Sequence, residues 1–464
     1  MNLQSLIYAA ADFLKMATKQ NKAPDKIISE VFRNKKYFGS KDRKFISELV
    51  FSSLRNLLLY KYIVKNLSVH NSNEELKIIV INCMLSSQSD LWFTINIAPL
   101  IEKLSATEIE LYNIINTIVV TEDLFTANVE NNFIGKILLL IQELLDNADN
   151  SLETFQTMYS LPIWIIDQLS PVINKKQFAY NSLLPAPTFI RINNSLGSKN
   201  NVFSYFSSNN IAIQEGNISH SAYKFYNRIK LDDNELFKSG LYEIQDEGSQ
   251  LISIALSPTQ NSKILDACAG AGGKSLHLAD ITNDKAEIIA SDTEYGRLKE
   301  ITKRAYRCGF KSIQAKLIKK QDHASLLELY NYKNFDYVLV DAPCSGMGTI
   351  RRDPSRKYKV SPKLVTRLAE AQYRILSQYA QFVKNGGILV YSTCSVLEEE
   401  NDKVIERFLQ DNKNFEPDDL FEVFAEHNLE IPHLNKGDYK VTLGFDRYEC
   451  DGFFMARLRK VSHH

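Results

Sequence analysis

The 464 residues carry 55 Lys and Arg against 55 Asp and Glu, so net charge gives no pull toward a polyanion. A 44% hydrophobic content and 24% charged content are those of a globular protein with room for two or three domains. No apolar run reaches the ~20 residues a membrane helix needs. The six cysteines form no C-x-x-C and have no His pair beside them, which argues against a metal site and for reduced thiols. A cytoplasmic monomer is the expectation.

From the N-terminus to about residue 175 the spacing is helical. In Lys44–Leu59 apolar residues recur at Phe45, Leu49, Val50, Leu54, Leu57 and Leu58. Further helices are expected over Glu74–Leu85, Glu108–Val119, Ile134–Leu145 and Pro162–Ile173. Charge is segregated along the chain: Lys15–Lys44 and Arg351–Arg374 are basic, whereas Glu398–Glu430 is acidic. Local basic surfaces can therefore exist on a neutral protein. Leu184-Pro185-Ala186-Pro187 closes the helical region. After it, Thr188–Asn193, Val202–Ser207, Ile211–Glu215 and Leu241–Gln245 read as strands of a small α+β segment.

From about 260 strands alternate with helices. Lys263–Asp266, Glu287–Asp292, Phe335–Asp341 and Gly387–Thr393 are apolar runs, and Gly296–Cys308 and Leu364–Lys384 have helical periodicity. The alternation predicts an α/β fold with a parallel, doubly wound sheet, whose ligands lie beyond the carboxyl ends of the strands. Those ends carry Asp266, Asp292, Asp341 followed by Cys344, and Cys394. After Asp266 comes the glycine loop Ala267-Cys268-Ala269-Gly270-Ala271-Gly272-Gly273-Lys274. It is not a P-loop, because Cys268 stands where G-x-x-x-x-G-K-S needs its first glycine. It suits a nucleotide-type ligand approaching the backbone, with Asp292 placed to accept from ribose hydroxyls. Cys268, Cys83, Cys308 and Cys450 read as packing.

Asp266–Lys274, Asp341-Ala-Pro-Cys-Ser-Gly-Met-Gly-Thr-Ile-Arg-Arg-Asp-Pro354 and Tyr391-Ser-Thr-Cys-Ser395 resemble the NOP/Sun family of RNA cytosine-5 methyltransferases. Phe237–Gln250, Phe189–Asn193 and Asp451–Leu458 extend the resemblance, and Ser40–Arg55 resembles the NusB-like helical domain that members carry. The resemblance implies a Rossmann-like class I methyltransferase domain at 251–464. Before it would stand an all-helical NusB-like RNA-binding domain at 1–150, then a helical linker with a small RRM-like RNA-binding segment at 151–250. It implies S-adenosyl-L-methionine in the glycine loop, with Asp292, Arg297, Asp322 and Asp341 also at the cofactor. It makes Cys394 the nucleophile, Cys344 the residue that assists release, and Asp341 and Lys274 their partners. RNA is the implied substrate, small-subunit rRNA first, with tRNA and large-subunit rRNA left open. Arg351, Arg352, Arg191 and Arg43 are the RNA-binding candidates, with Lys357 and Tyr358 beside the basic turn for phosphate contact and stacking. A DNA cytosine-5 methyltransferase, in which the Pro-Cys thiol attacks, and a non-catalytic RNA-binding module are the rival readings.

Overall fold

The helical periodicity of the first 180 residues is realised, in the computed structural model of the chain, as helices α1 (Leu3–Lys19), α2 (Pro24–Asn34), α3 (Ser40–Arg55), α4 (Leu57–Leu67), α5 (Glu74–Ser86), α6 (Ala98–Lys103), α7 (Glu108–Thr121), α8 (Phe133–Asn147), α9 (Leu152–Met158), α10 (Ile163–Gln168) and α11 (Lys175–Asn181). The structure describes all residues except 68–72, 88–97, 105, 123, 126–132, 198, 226–233, 319–333 and 463–464. Every residue of α5 from Leu76 to Ser86 is buried, so it is the central helix around which the others pack. Its one amide, Asn82, is satisfied by Ser53 Oγ at 2.9 Å and Leu49 O at 3.1 Å. The single helix expected over Lys44–Leu59 breaks at Asn56, whose side chain donates to Ser52 O at 3.1 Å and competes with the helical ladder.

The chain divides into two compact units. The first holds Met1–Asp167, Asn174–Pro185 and, from far along the sequence, Ile350–Val360. The second holds Gln168–Ile173, Ala186–Thr349 and Ser361–His464. Compactness thus does not follow borders at 150 and 250: the helical unit runs on to Pro185, and the basic turn after the Pro-Cys loop packs with it. Lys357 Nζ donates to Arg55 O at 2.8 Å, and Tyr358 Oη donates to Leu54 O at 3.1 Å. Lys357 is fully buried, which pushes its amine well below the usual lysine range. The expected phosphate and stacking roles of this pair are therefore corrected, since both side chains are spent on backbone carbonyls of the helical unit.

Within the second unit β1 (Thr188–Ile192), β2 (Ile213–Glu215), β3 (Ala222–Phe225) and β4 (Tyr242–Ile244) form an antiparallel sheet in the order β2-β3-β1-β4. Val202–Ser207, expected as a strand, lies in α12 (Lys199–Ser208). Val202 and Phe206, four residues apart, are its buried pair, which is a helical spacing even though the residue types favour strands. α13 (Glu235–Lys238) and α14 (Glu247–Leu256) lead into the larger sheet.

That sheet comprises β5 (Lys263–Asp266), β6 (Glu287–Asp292), β7 (Ile313–Leu317), β8 (Phe335–Asp341), β9 (Val383–Thr393), β10 (Phe415–Pro417), β11 (Lys440–Leu443) and β12 (Phe453–Lys460). The order is β10-β12-β9-β8-β5-β6-β7, with β11 also on β12. Strands β7, β6, β5, β8 and β9 are parallel, and β12 is antiparallel to β9. α15 (Gly273–Ile281) and α16 (Tyr295–Arg307) connect the strands on one side of β5. β8 returns to the other side, so the strand order reverses between β5 and β8, where a doubly wound sheet opens its ligand crevice. Of the later helices, α17 (Arg356–Lys359) belongs to the helical unit, and α18 (Pro362–Ala380) and α19 (Asp402–Asp411) pack on the sheet. α18 stops before Lys384, since Val383 already pairs with Phe335 and the ladder resumes only at Ile388.

Candidate active site

Tight backbone bonding holds the loop after β5. Ala269 N donates to Ser291 O and Gly272 N to Ala269 O, both at 2.9 Å. Gly272 has φ +85°, and a Cβ there would stand 2.8 Å from Ile301, so only glycine fits. Gly270, at φ +56°, has nothing within 4 Å of where a Cβ would stand, which leaves its backbone face open to a ligand. At the end of β6, Asp292 accepts from Gly270 N at 3.0 Å and Glu294 N at 2.8 Å. Arg297 reaches Asp292 at 3.6 Å and stays half exposed. Loop and acid thus form one cradle, with carboxylate lone pairs left over.

Asp266 lies beneath that cradle, fully buried, with Ser275 Oγ donating to one oxygen at 2.6 Å. Its other oxygen, Oδ1, finds no partner among the described residues. Burial raises its pKa to about 7, and the Ser275 hydrogen bond and Lys274 offset this only in part. The native state therefore holds a proton that the unfolded chain loses above about pH 4, and Asp266's contribution to stability falls as pH rises from about 4 to 7. Asp266→Asn should match the parent near pH 4 and melt higher at pH 8, by about 4 kcal/mol at most. Thermal melts of both proteins across that range check it.

On the other side of the crevice the two strand-end thiols meet. Cys344 Sγ and Cys394 Sγ are 3.3 Å apart. The hydrogen bond to Cys394, and then burial, push the Cys344 thiol well above its ordinary value. Asp341, closing β8, is ion-paired to Lys274 Nζ at 2.6 Å and accepts from Ser392 Oγ at 3.0 Å. Burial alone would lower the Lys274 ammonium's pKa, but Asp341 more than reverses this and the net direction is upward. A charged lysine, a carboxylate and a thiol pair therefore stand at the ends of neighbouring strands. The Pro-Cys loop is fixed against the chain's last strand: Gly348 N donates to Cys394 O at 3.0 Å and Gly452 N to Gly348 O at 2.8 Å. A Cβ on Gly348 would collide with Gly452 O.

The other expected site residues fare differently. Ala267 is buried, while Cys268, Ala269 and Gly270 are half-buried. Ala271 O accepts from Arg304. Asp322 lies outside the described residues. Arg191 is fully buried, and its guanidinium donates to Gln245 Oε1 at 2.7 Å, to Asn193 Oδ1 and, at 3.4 Å, to Gly273 O. That corrects its expected RNA contact, because a guanidinium sealed behind the glycine loop braces α15 and meets no phosphate. Arg351 is only 6% exposed, which sets it apart from the exposed Arg352. Arg43 is half buried, held by Phe38 O at 2.9 Å and lying over the Phe32 ring. Unforeseen were Gln372, Glu400 and Asn401, which carry no motif signal of their own, and the roles of Ser275 and Ser392, which the motifs contain. Among the described residues no group of three or more His, Cys, Asp or Glu could hold a metal, and no helix is long and apolar enough to cross a membrane.

Residues 253–459 match the family described as 16S rRNA methyltransferase RsmB/F. A relative from Shewanella oneidensis, named ribosomal RNA small subunit methyltransferase B, is 30% identical over 332 residues, covering 71% of this chain and 73% of its own. A Bacillus subtilis protein, named probable ribosomal RNA small subunit methyltransferase B, is 28% identical over 95% of this chain and 96% of its own. Among solved structures, PH0851 has a TM-score of 0.71 at 20% identity and covers 99% of both chains, which establishes likeness of fold. With a Rossmann-like sheet, a helical N-terminal region and this match along most of its length, the chain belongs to the RsmB/F family of rRNA small subunit methyltransferases.

Proposed function

We propose that the chain moves a methyl group from S-adenosyl-L-methionine to C5 of a cytosine in 16S rRNA, through a covalent bond between Cys394 and C6. The observation that carries this reading is the meeting of two thiols, 3.3 Å apart, beside an Asp341–Lys274 ion pair at adjoining strand ends. The glycine loop suits the donor, since Gly270 has open space before its backbone and Asp292 retains acceptor capacity for a ribose. When bound, the donor supplies an electrophilic methyl on sulfur.

Cytosine C5 is too weak a nucleophile to take that methyl directly. The Cys394 thiolate adds to C6 as the Lys274 ammonium passes a proton through the Asp341 carboxyl to N3, which leaves C5 as the nucleophilic end of an enamine. After methylation N3 returns its proton to the Asp341–Lys274 pair, the C5 proton departs to solvent, its electron pair restores the C5–C6 double bond, and the S–C6 bond breaks. The Cys344 S–H donates to the sulfur as it leaves. The resemblance of Tyr391–Ser395 to the family's Thr-Cys motif supports Cys394 as the attacking member and Cys344 as its helper. The target base must leave its stack to enter the crevice, which favours an unpaired cytosine. Arg352 and the basic N-terminal helices are the proposed phosphate contacts, and the cytoplasm the proposed compartment.

Bisulfite sequencing of rRNA and tRNA with and without the gene tests the substrate. One 16S cytosine should lose its methyl group when the gene is removed. Loss confined to tRNA or 23S rRNA would refute the 16S assignment.

A further inference from the structure

Two adjacent residues just before α19, Glu400 and Asn401, are fully buried, one a carboxylate and the other an amide, inside a sequence stretch that is otherwise an acidic surface. Each grips the neighbours of a different thiol. Glu400 Oε1 accepts from Ser345 N at 2.8 Å and its Oε2 accepts from Ser345 Oγ. Gln372 Nε2 bridges Glu400 Oε1 and Pro343 O, at 3.0 Å to each. The residues on both sides of Cys344 are therefore tied to one carboxylate.

Asn401 Oδ1 accepts from Thr393 Oγ1 at 2.7 Å, and its Nδ2 donates to Ser395 O at 3.0 Å. Those two residues flank Cys394. The Tyr391 hydroxyl, on the same strand, adds a bond to Glu400 O at 2.7 Å. A single peptide bond thus joins the anchors of two loops that lie about 50 residues apart in sequence.

We infer that Glu400 and Asn401 are a paired positioning device that sets the distance between the two thiols, Asn401 aiming Cys394 at C6 and Glu400 holding Cys344 against the leaving sulfur. The inference rests on the two-thiol reading above. A buried donor or acceptor is costly to leave unpaired, so removing either clamp shifts the loop it holds. A displacement of about 1 Å is enough to cost on the order of 100-fold in rate.

The two residues should fail in opposite ways, which a general loss of folding could not imitate. With unmethylated 16S rRNA transcribed in vitro and S-adenosylmethionine, Glu400→Ala should retain protein–RNA adduct on a denaturing gel and slow turnover roughly 100-fold. Glu400→Gln, which keeps an acceptor at Oε1, should recover release. Asn401→Ala, placed in a Cys344→Ala background, should slow adduct formation by a similar factor. Ser345→Ala and Thr393→Val each remove one hydroxyl and should give the same two patterns at several-fold strength, so the inference stays testable if the alanine clamps fold poorly. Unaltered release in Glu400→Ala or Ser345→Ala overturns it, as does unaltered adduct formation in Asn401→Ala or Thr393→Val. If Cys344→Ala itself traps no adduct, the two-thiol reading is what has failed.

Discussion

Cys344→Ala is expected to accumulate a covalent protein–RNA complex, and Cys394→Ala to form none and to lose methyl transfer to background. The asymmetry follows from what each sulfur does in a pair only 3.3 Å across. Without Cys394 no sulfur is aimed at C6, and C5 never becomes nucleophilic. Without Cys344 the addition still proceeds, but the departing sulfur has lost its hydrogen-bond donor and the adduct outlives the methylation. Retention should be visible as a slow-migrating band that requires both donor and RNA. The reverse pattern, with Cys344→Ala inert and Cys394→Ala turning over, would transfer the attack to the Pro-Cys thiol and restore the DNA-type mechanism.

The site was readable because a doubly wound sheet puts its chemistry at the carboxyl ends of its strands. Asp266, Asp292, Asp341 and Cys394 each close an apolar run that the sequence displays openly. What could not be read was what surrounds those ends. Arg191 occupies an alternating strand and was expected to face outward, but Phe189–Ile192 is buried on both faces of its sheet. The face that Arg191 shares with Phe189 is covered by the methyltransferase core. Glu400 failed for a related reason: an acid inside an acidic run reads as solvated, and only the fold reveals that it alone among Glu398, Glu399 and Glu400 is buried. Lys357 shows the third case, a basic turn whose charge is sealed into a helical unit formed some 300 residues earlier in the chain. In each, long-range packing overrides what the local residue type suggests.

Asp341→Asn and Lys274→Met should each lower methyl transfer by roughly 10²–10⁴-fold, the range for removing a positioned acid or base. Two groups hold Asp341, the Lys274 ammonium at 2.6 Å and Ser392 Oγ at 3.0 Å, and Cys394 follows the end of the next strand. Asp341→Asn keeps the shape but can neither carry a proton toward N3 nor balance Lys274. Its lysine would then be left 12% exposed and without its carboxylate, a buried charge with a desolvation cost that the ion pair had offset. Lys274→Met leaves the opposite defect, an Asp341 lacking its cation. The two act as one proton-handling unit, so the double variant should lose scarcely more than the worse single one. Initial-rate kinetics on the four proteins measure this directly. Losses that multiply to the product of the singles would mean that lysine and aspartate act independently, Lys274 holding the donor and Asp341 alone serving the base. Adduct yield separates those cases further: with N3 unprotonated the addition to C6 is the step that stalls, so Asp341→Asn in a Cys344→Ala background should trap little, where Cys344→Ala alone traps fully.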